Sequence, residues 1–291
     1  VASTWHSGRD VVQSLERGLL VLRAFSRERR PLSVAEIAES VELSRPTVRR
    51  MLLTLEYLGY TTQTGSTWTL TPRVLEIGSG YFIESSLPEI SQPFLHELAD
   101  SIAETCTVSV FDRGDVVQVA RAEVHRIVPD TIRVGTRLPA YATALGTVLL
   151  GALSDAELDD YLDAGGFSSI TPQTMTDPAR IRDRAIEARE RGYALSVEEL
   201  EAGVISLAVP IQIETATFAA MGMTSSTARK TQDDLVAIVS VLRTAADEVA
   251  RVYQLGNPYG RLPRGVHEGL SRVGGGPTWS TRPAFLPSSP A

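Results

Sequence analysis

Leu32–Tyr60, LSVAEIAESVELSRPTVRRMLLTLEYLGY, is the stretch whose reading decides the fold. Ser33 and Glu36 have capping-box spacing and predict a helix start. Val34, Ile37, Ala38 and Val41 give that helix one apolar face. Glu42-Leu43-Ser44 is a short connection. Val48, Met51, Leu52, Leu55 and Leu58 then recur at helical spacing, which predicts a second helix with that stripe buried. Arg49 and Arg50 fall off the stripe, and Arg45 and Thr47 stand at the helix start. A helix with a packed inner face and a basic, hydroxyl-bearing outer face at its N-terminal end is what a helix-turn-helix asks of its recognition helix. Arginine forks onto guanine, hydroxyls reach base edges or phosphates, and the helix N-terminus offers free N–H groups to a phosphate. The candidate DNA contacts are Ser33, Ser44, Arg45, Pro46, Thr47, Arg49 and Arg50. Proline restricts the residue before it, so Ser44 and Arg45 both remain candidates for the cap.

Working outward, Gly59 closes the second helix. Thr61–Leu70, TTQTGSTWTL, is rich in β-formers, with the turn signal Thr64-Gly65-Ser66 at its middle. A hairpin directly after a recognition helix reads as the wing of a winged helix-turn-helix. Upstream, Ser14–Arg17 opens another helix whose buried face is expected at Leu15, Leu19, Leu22 and Phe25.

Charge divides along the same line. Ten arginines and seven acids through Arg73 give that segment +3, against −7 for the whole chain, which leaves −10 for the remainder. A basic head on an acidic body suits a head that meets DNA. The 291 residues suffice for about two domains. No apolar run approaches the roughly 20 residues of a membrane span, and no secretion signal is evident. Cys106 is the only cysteine, so an intrachain disulfide and a Cys-based zinc site are excluded. A reducing, cytoplasmic setting is expected, with no metal, cofactor or membrane partner.

The expected division is a flexible N-terminus over 1–10, a DNA-binding domain over 11–72, a linker helix over 73–87 weakened at Gly78 and Gly80, an effector domain over 88–255, and a disordered tail over 256–291 rich in Gly, Pro and Ser. In the effector domain a helix is predicted over Ile90–Ile102, then strands over Thr105–Phe111 and Val116–Ala122, and a short strand near Ile132–Val134. An apolar helix follows over Thr143–Leu153. Ser154 with Glu157 makes a second capping box, and Asp177-Pro178 starts a helix that ends at Gly192. Strands are predicted over Tyr193–Val197, Val204–Ile213 and Phe218–Thr224, and one long helix over Asp233–Leu255. Helices flanking hairpin-linked strands argue for an α+β fold rather than a parallel doubly wound sheet.

VQSLERGLLVLRAF, LSRPTVRRMLLTLEYLGY, LTPRVLEIG, RVGTRLPAYATALGTVLL, EELEAGVISLAVPI and AAMGMTSS occur here in that order. Together they make the chain resemble IclR-type bacterial transcription regulators over about Val11–Leu255. VQSLERGL, LTPRVLEIG and PAYATALG are most similar to the Pca/Pob subgroup, which governs aromatic-acid and β-ketoadipate catabolism. The resemblance implies a winged helix-turn-helix, a linker helix and a GAF-like effector domain with an antiparallel sheet flanked by helices. It also implies dimers or tetramers on palindromic double-stranded DNA operators and a small carboxylic effector.

The pocket lining it implies is Ile127, Asp130, Ala144, Leu145, Ser196, Val204, Ser206, Gly222 and Thr224. Two positions depart from the family pattern: Ser196 stands where an acid is common, and Gly222 where a serine is. A buried carboxylate needs a cationic or N–H-rich partner. Arg121, Arg126, Arg133 and Arg137 surround the loop in question, with surface ion pairing as the alternative role for each; Arg133 is included in the candidate lining.

An enzyme with a DNA-binding appendage is the rival class. No HExxH, GxSxG or phosphate-binding loop occurs. The histidines His6, His96, His125 and His267 are scattered, Cys106 sits in an apolar strand and reads as core, and the acids Glu198, Glu199 and Glu201 read as a solvated turn. No catalytic residue is expected.

Overall fold

The computed structural model describes residues 11–26, 30–78, 86–124 and 132–256. These form two compact units, one up to residue 78 and one from residue 86 onward.

The first unit runs α1 (Gln13–Ala24), β1 (Leu32–Ser33), α2 (Val34–Ser40), α3 (Arg45–Tyr57), β2 (Thr61–Thr64) and β3 (Thr67–Leu70), with a 3-10 turn at Pro72–Val74 and helical backbone over 75–78. The capping box that opens α2 is present in both directions between Ser33 and Glu36. β2 and β3 form the hairpin, and β1 adds a third antiparallel strand through Leu32↔Trp68. That two-residue strand has no periodic signal of its own. Val21, Phe25, Leu32, Ile37, Val48, Leu52, Leu55 and Trp68 make the core.

The expected faces need two corrections. On α3, Val48, Leu52 and Leu55 are buried, while Met51 is half-buried and Leu58 exposed. On α1, Leu15 and Leu19 are 62% and 47% exposed, and the buried line runs through Val21, Ala24 and Phe25. Phe25 is buried as expected and Leu22 is half-buried against the core, but Leu15 and Leu19 lie off the buried face, which turns toward Val21 and Ala24. The leucines give a stripe of the right period, but packing chose its neighbour.

The second unit runs α4 (Leu87–Ile102), β4 (Thr105–Asp112), β5 (Asp115–Ala122), β6 (Arg137–Pro139), a 3-10 turn (Ala140–Ala142), α5 (Ala144–Gly151), α6 (Asp155–Ala164), α7 (Pro178–Arg191), β7 (Ala194–Val197), β8 (Val204–Ile213), β9 (Ala216–Ser226), α8 (Gln232–Ala237) and α9 (Val239–Gly256). The strands form one antiparallel six-stranded sheet in the order β6-β5-β4-β9-β8-β7. One sheet face carries Cys106, Val108, Leu207, Val209, Met221 and Met223 against Leu95 and Leu98 of α4 and Leu242 and Val249 of α9. The opposite face packs against α5, which is buried along most of its length. Gly146 is required there: a Cβ would stand 2.1 Å from the Ala140 carbonyl oxygen.

Three details differ from the sequence reading. The strand expected near Ile132–Val134 lies at Arg137–Pro139. Residues 133–136 form a turn instead, closed by the Thr136 N–H on the Arg133 carbonyl (2.9 Å), with Gly135 at φ +86. The long final helix is broken at Ile238, where φ is −100, although Leu235, Val239 and Leu242 continue one buried line through the break. Glu199 is not solvated. It is buried, and its Oε2 accepts from Arg184 Nη1 (2.7 Å) and from the Met175 N–H (3.3 Å).

The expected flexible N-terminus over 1–10, residues 79–85 of the expected linker, and the tail beyond 256 lie outside the described residues. So do His6, His125, Arg126 and His267. No helix among the described residues is long and apolar enough to cross a membrane.

Candidate DNA-reading and effector-binding surfaces

Ser44 is the N-cap of α3. Its backbone is extended, and its Oγ accepts from the Thr47 N–H at 3.4 Å and lies 2.9 Å from Thr47 Oγ1. Pro46 falls in the first turn, where a missing N–H costs nothing. Thr47 is thus held in the cap, while Arg45, Arg49 and Arg50 are exposed, and no ion pair engages them among the described residues. Ser33 stands differently: its hydroxyl and N–H both bond Glu36 Oε2, at 2.7 and 2.8 Å. These bonds from Ser33, assisted by Arg30 at 2.7 Å, hold the Glu36 carboxyl down at about 2. The wing turns at Gly65 with φ +61, braced by Gln63 Nε2 on the Gly65 carbonyl at 2.8 Å. It carries hydroxyls and an amide but no cation. Among the described residues, Arg45, Arg49 and Arg50 thus put three exposed cations without acidic partners on one helix.

In the body, register brings the expected effector residues together. Ser196, Ser206, Thr224 and Thr105 form one cross-strand row, and Ala194, Ala208, Gly222, Thr107 and Arg121 form the next on the same face. α5 lies over these rows. A Cβ on Gly222 would stand 3.0 Å from Leu145 Cδ2, and Ser196 Oγ donates to the Ala142 carbonyl at 3.5 Å. Ala144 and Ser196 are buried, and Leu145, Val204, Ser206 and Thr224 are half-buried. Val204 pairs with Ser226 at the strand ends, two residues before Ser206 and therefore on the same face. Ile127 and Asp130 lie outside the described residues.

Thr105, Thr107, Ser109 and Gln118 were missed as candidates. All four are buried on this face, and Ser109 pairs with Gln118 one row beyond Thr107 and Arg121. Ser109 Oγ and Gln118 Oε1 have no hydrogen-bond partner among the described residues. A buried orphan of this kind costs roughly 1–3 kcal/mol. The signal was present: hydroxyl residues alternate with apolar ones through TCTVSV, a period-two pattern that makes one side of a central strand polar.

The arginines separate. Arg137 bonds Asp112 and Asp115 at 2.6 and 3.1 Å, and Arg133, half-exposed, bonds Glu123 at 2.8 Å. Arg121 is buried on the polar face, with Nε on Glu123 Oε1 (3.0 Å) and Nη1 on Thr107 Oγ1 (3.4 Å). Burial, aided by the nearby charge of Glu104, pushes the Cys106 thiol up to about 12, which removes the thiolate a nucleophile needs. A separate cleft of about 360 Å³ between α5, α7 and the β8–β9 turn is lined by Val148, Ala188, Arg189, Gln212 and Thr217, away from the matched residues.

Residues 14–65 match the family described as the IclR helix-turn-helix domain, and residues 81–251 match the bacterial transcriptional regulator IclR C-terminal family. The chain is 36% identical over 228 residues to the Pca regulon regulatory protein of Pseudomonas putida, covering 78% of each. A protein of Rhodococcus sp. RHA1 described as a transcriptional regulator superposes with a TM-score of 0.74 at 40% identity, over 85% of this chain and 100% of that one. The inducer-binding domain of the Acinetobacter transcription factor PobR, a double mutant in complex with 3-hydroxybenzoic acid, has a TM-score of 0.54 at 33% identity, over 57% of this chain and 98% of that one.

Proposed function

The chain belongs to the IclR family of bacterial transcriptional regulators, and from that premise we propose that a small carboxylic acid, bound on the polar face of the body sheet, changes its affinity for operator DNA. Arg45, Arg49 and Arg50 read bases and phosphates, and Ser44, Pro46 and Thr47 shape the helix start that meets the backbone. Ser33 acts through the cap of α2 rather than by direct contact. The observation that carries the effector reading is the set of buried and half-buried hydroxyls on one face of a sheet whose other face is mostly apolar. Burying polar groups is costly unless something bonds them. The PobR complex supports an aromatic acid, and the Pca regulator's resemblance supports that acid or β-ketoadipate.

Ser206, Thr224 and Ser196 bond the ligand's oxygens, while Ala144, Leu145, Val204 and Gly222 shape the space around its apolar part. Arg121 serves as the carboxylate's cation in place of Arg133, which faces Glu123 at the surface. The protein acts in the cytoplasm as a regulator, not an enzyme. It self-associates so that two heads read a palindrome, a reading supported by the exposed apolar residues Val11, Val12, Leu15 and Leu19.

A thermal-shift screen of aromatic and dicarboxylic acids on the full chain, followed by operator affinity with and without each hit, tests this. A ligand that binds the folded state raises stability. One that distinguishes two conformations moves operator affinity by about 5- to 150-fold. Replacing Ser206→Val and Thr224→Val together weakens that response and leaves ligand-free DNA binding unchanged. Turnover of the acid, or no stabilisation by any of them, would sink the reading.

A further inference from the structure

We propose that Ser109 and Gln118 form a second polar subsite of the effector pocket, one that takes a ring hydroxyl and so selects a hydroxylated aromatic acid over a keto dicarboxylate. This rests on the effector reading above and deepens it.

Ser109 and Gln118 are paired across β4 and β5 on the same face as Thr107 and Arg121. The Thr107-to-Ser109 step is two strand residues, about 6.7 Å, which is the scale of one aromatic ring with its substituents. The register shift between Val108 and Ser109 brings Gln118 opposite Ser109, although three positions separate Gln118 from Arg121. Both side chains are at least 97% buried. On β9 the neighbours along this face are Ala220 beside Ser109 and Gly222 beside Thr107, which offer no side-chain polar group. Ser109 Oγ and Gln118 Oε1 accordingly remain without partners among the described residues.

The chemistry of the orphan atoms narrows the ligand. An amide oxygen only accepts and so asks for a donor. Ionised carboxylates and ketones present acceptors alone, and they leave that oxygen unpaired. A phenolic O–H donates to Gln118 Oε1, and its oxygen accepts from the Ser109 hydroxyl. With Arg121 one row away as the carboxylate's partner, the face presents a cation at one end and a donor–acceptor pair at the other.

Calorimetry on the full chain with benzoate, 3-hydroxybenzoate, 4-hydroxybenzoate and adipate tests this. A site built to bond a hydroxyl rejects the analogue lacking it, so a hydroxybenzoate is expected to bind at least roughly 10-fold more tightly than benzoate. Adipate is expected to bind more weakly still. Gln118→Leu should collapse the ratio of hydroxybenzoate to benzoate affinity toward one. Ser109→Ala removes a single oxygen and should narrow the same ratio, which keeps the test open if Gln118→Leu does not fold. Equal binding of benzoate and both hydroxybenzoates, adipate as the preferred ligand, or a ratio unchanged in these variants overturns the subsite while the effector reading stands. Failure of all four acids to bind overturns both.

Discussion

The head and the body place their polar groups in opposite ways. On α3 the groups that matter are cations, exposed and without acidic partners among the described residues. On the body sheet they are mostly neutral hydroxyls and an amide beside Arg121, buried or half-buried, with Ser109 Oγ and Gln118 Oε1 lacking partners among the described residues. The difference follows from what each surface meets. DNA is a long polyanion whose field acts at a distance and whose bases are read in a wet groove, so exposed arginines are both free to move and already solvated. A small ligand is enclosed, and short-range hydrogen bonds in a dry site give it orientation and selectivity. A basic head on an acidic body is the same contrast at the level of net charge.

The sharpest way to break the comparison is to unfold one half. Trp68 of β3, buried in the first unit's core, is expected to cost about 3–5 kcal/mol when truncated to alanine. Hydrogen exchange should show protection lost in residues 11–78 and kept in the sheet over 105–226. Operator binding should vanish while acid binding persists. Loss of protection in both units together would mean that they do not fold as separable units.

A smaller effect is expected on α3. Arg49→Ala removes an exposed side chain with no contact to the core, so the melting temperature should not move, while operator preference falls by roughly 1–3 kcal/mol. Competition between operator and random DNA measures it, and undiminished discrimination would remove Arg49 from base reading.

The smallest effect is electrostatic and confined to the cap of α2. The Glu36 carboxyl is lowered from 4.5 to about 2, first by the Ser33 hydroxyl, then by the Ser33 N–H and Arg30. Because the folded value is the depressed one, the contribution is fully present above 4.5 and is lost as pH falls from there toward 2. Carbon-detected titration of Glu36 checks this. A midpoint near 4.5 would show that the box does not hold in solution.

Much of the architecture was written in local sequence. Capping boxes at Ser33 and Ser154, the Asp177-Pro178 start and Gly192 stop, the Gly65 turn and alternating strands all act within a few residues, where the chemistry of one side chain decides the backbone. The helix-turn-helix and the exposed Arg45, Arg49 and Arg50 were legible for that reason, as was an α+β body. Cap, period and turn do not say which of two adjacent helix stripes is buried, and only packing turned α1 onto Val21 and Ala24. Nor do they show that one apolar line serves two helices across Ile238, or that Glu199 turns inward to Arg184. The proposed site in the body belongs to this second kind. Thr107, Ser109, Gln118, Arg121, Ser206 and Thr224 come from four strands spread over more than a hundred residues, and hydrogen-bond register alone sets them on one face. A polar residue in a strand costs little in water and much when a helix closes over it, and only the tertiary structure determined which of them α5 would cover.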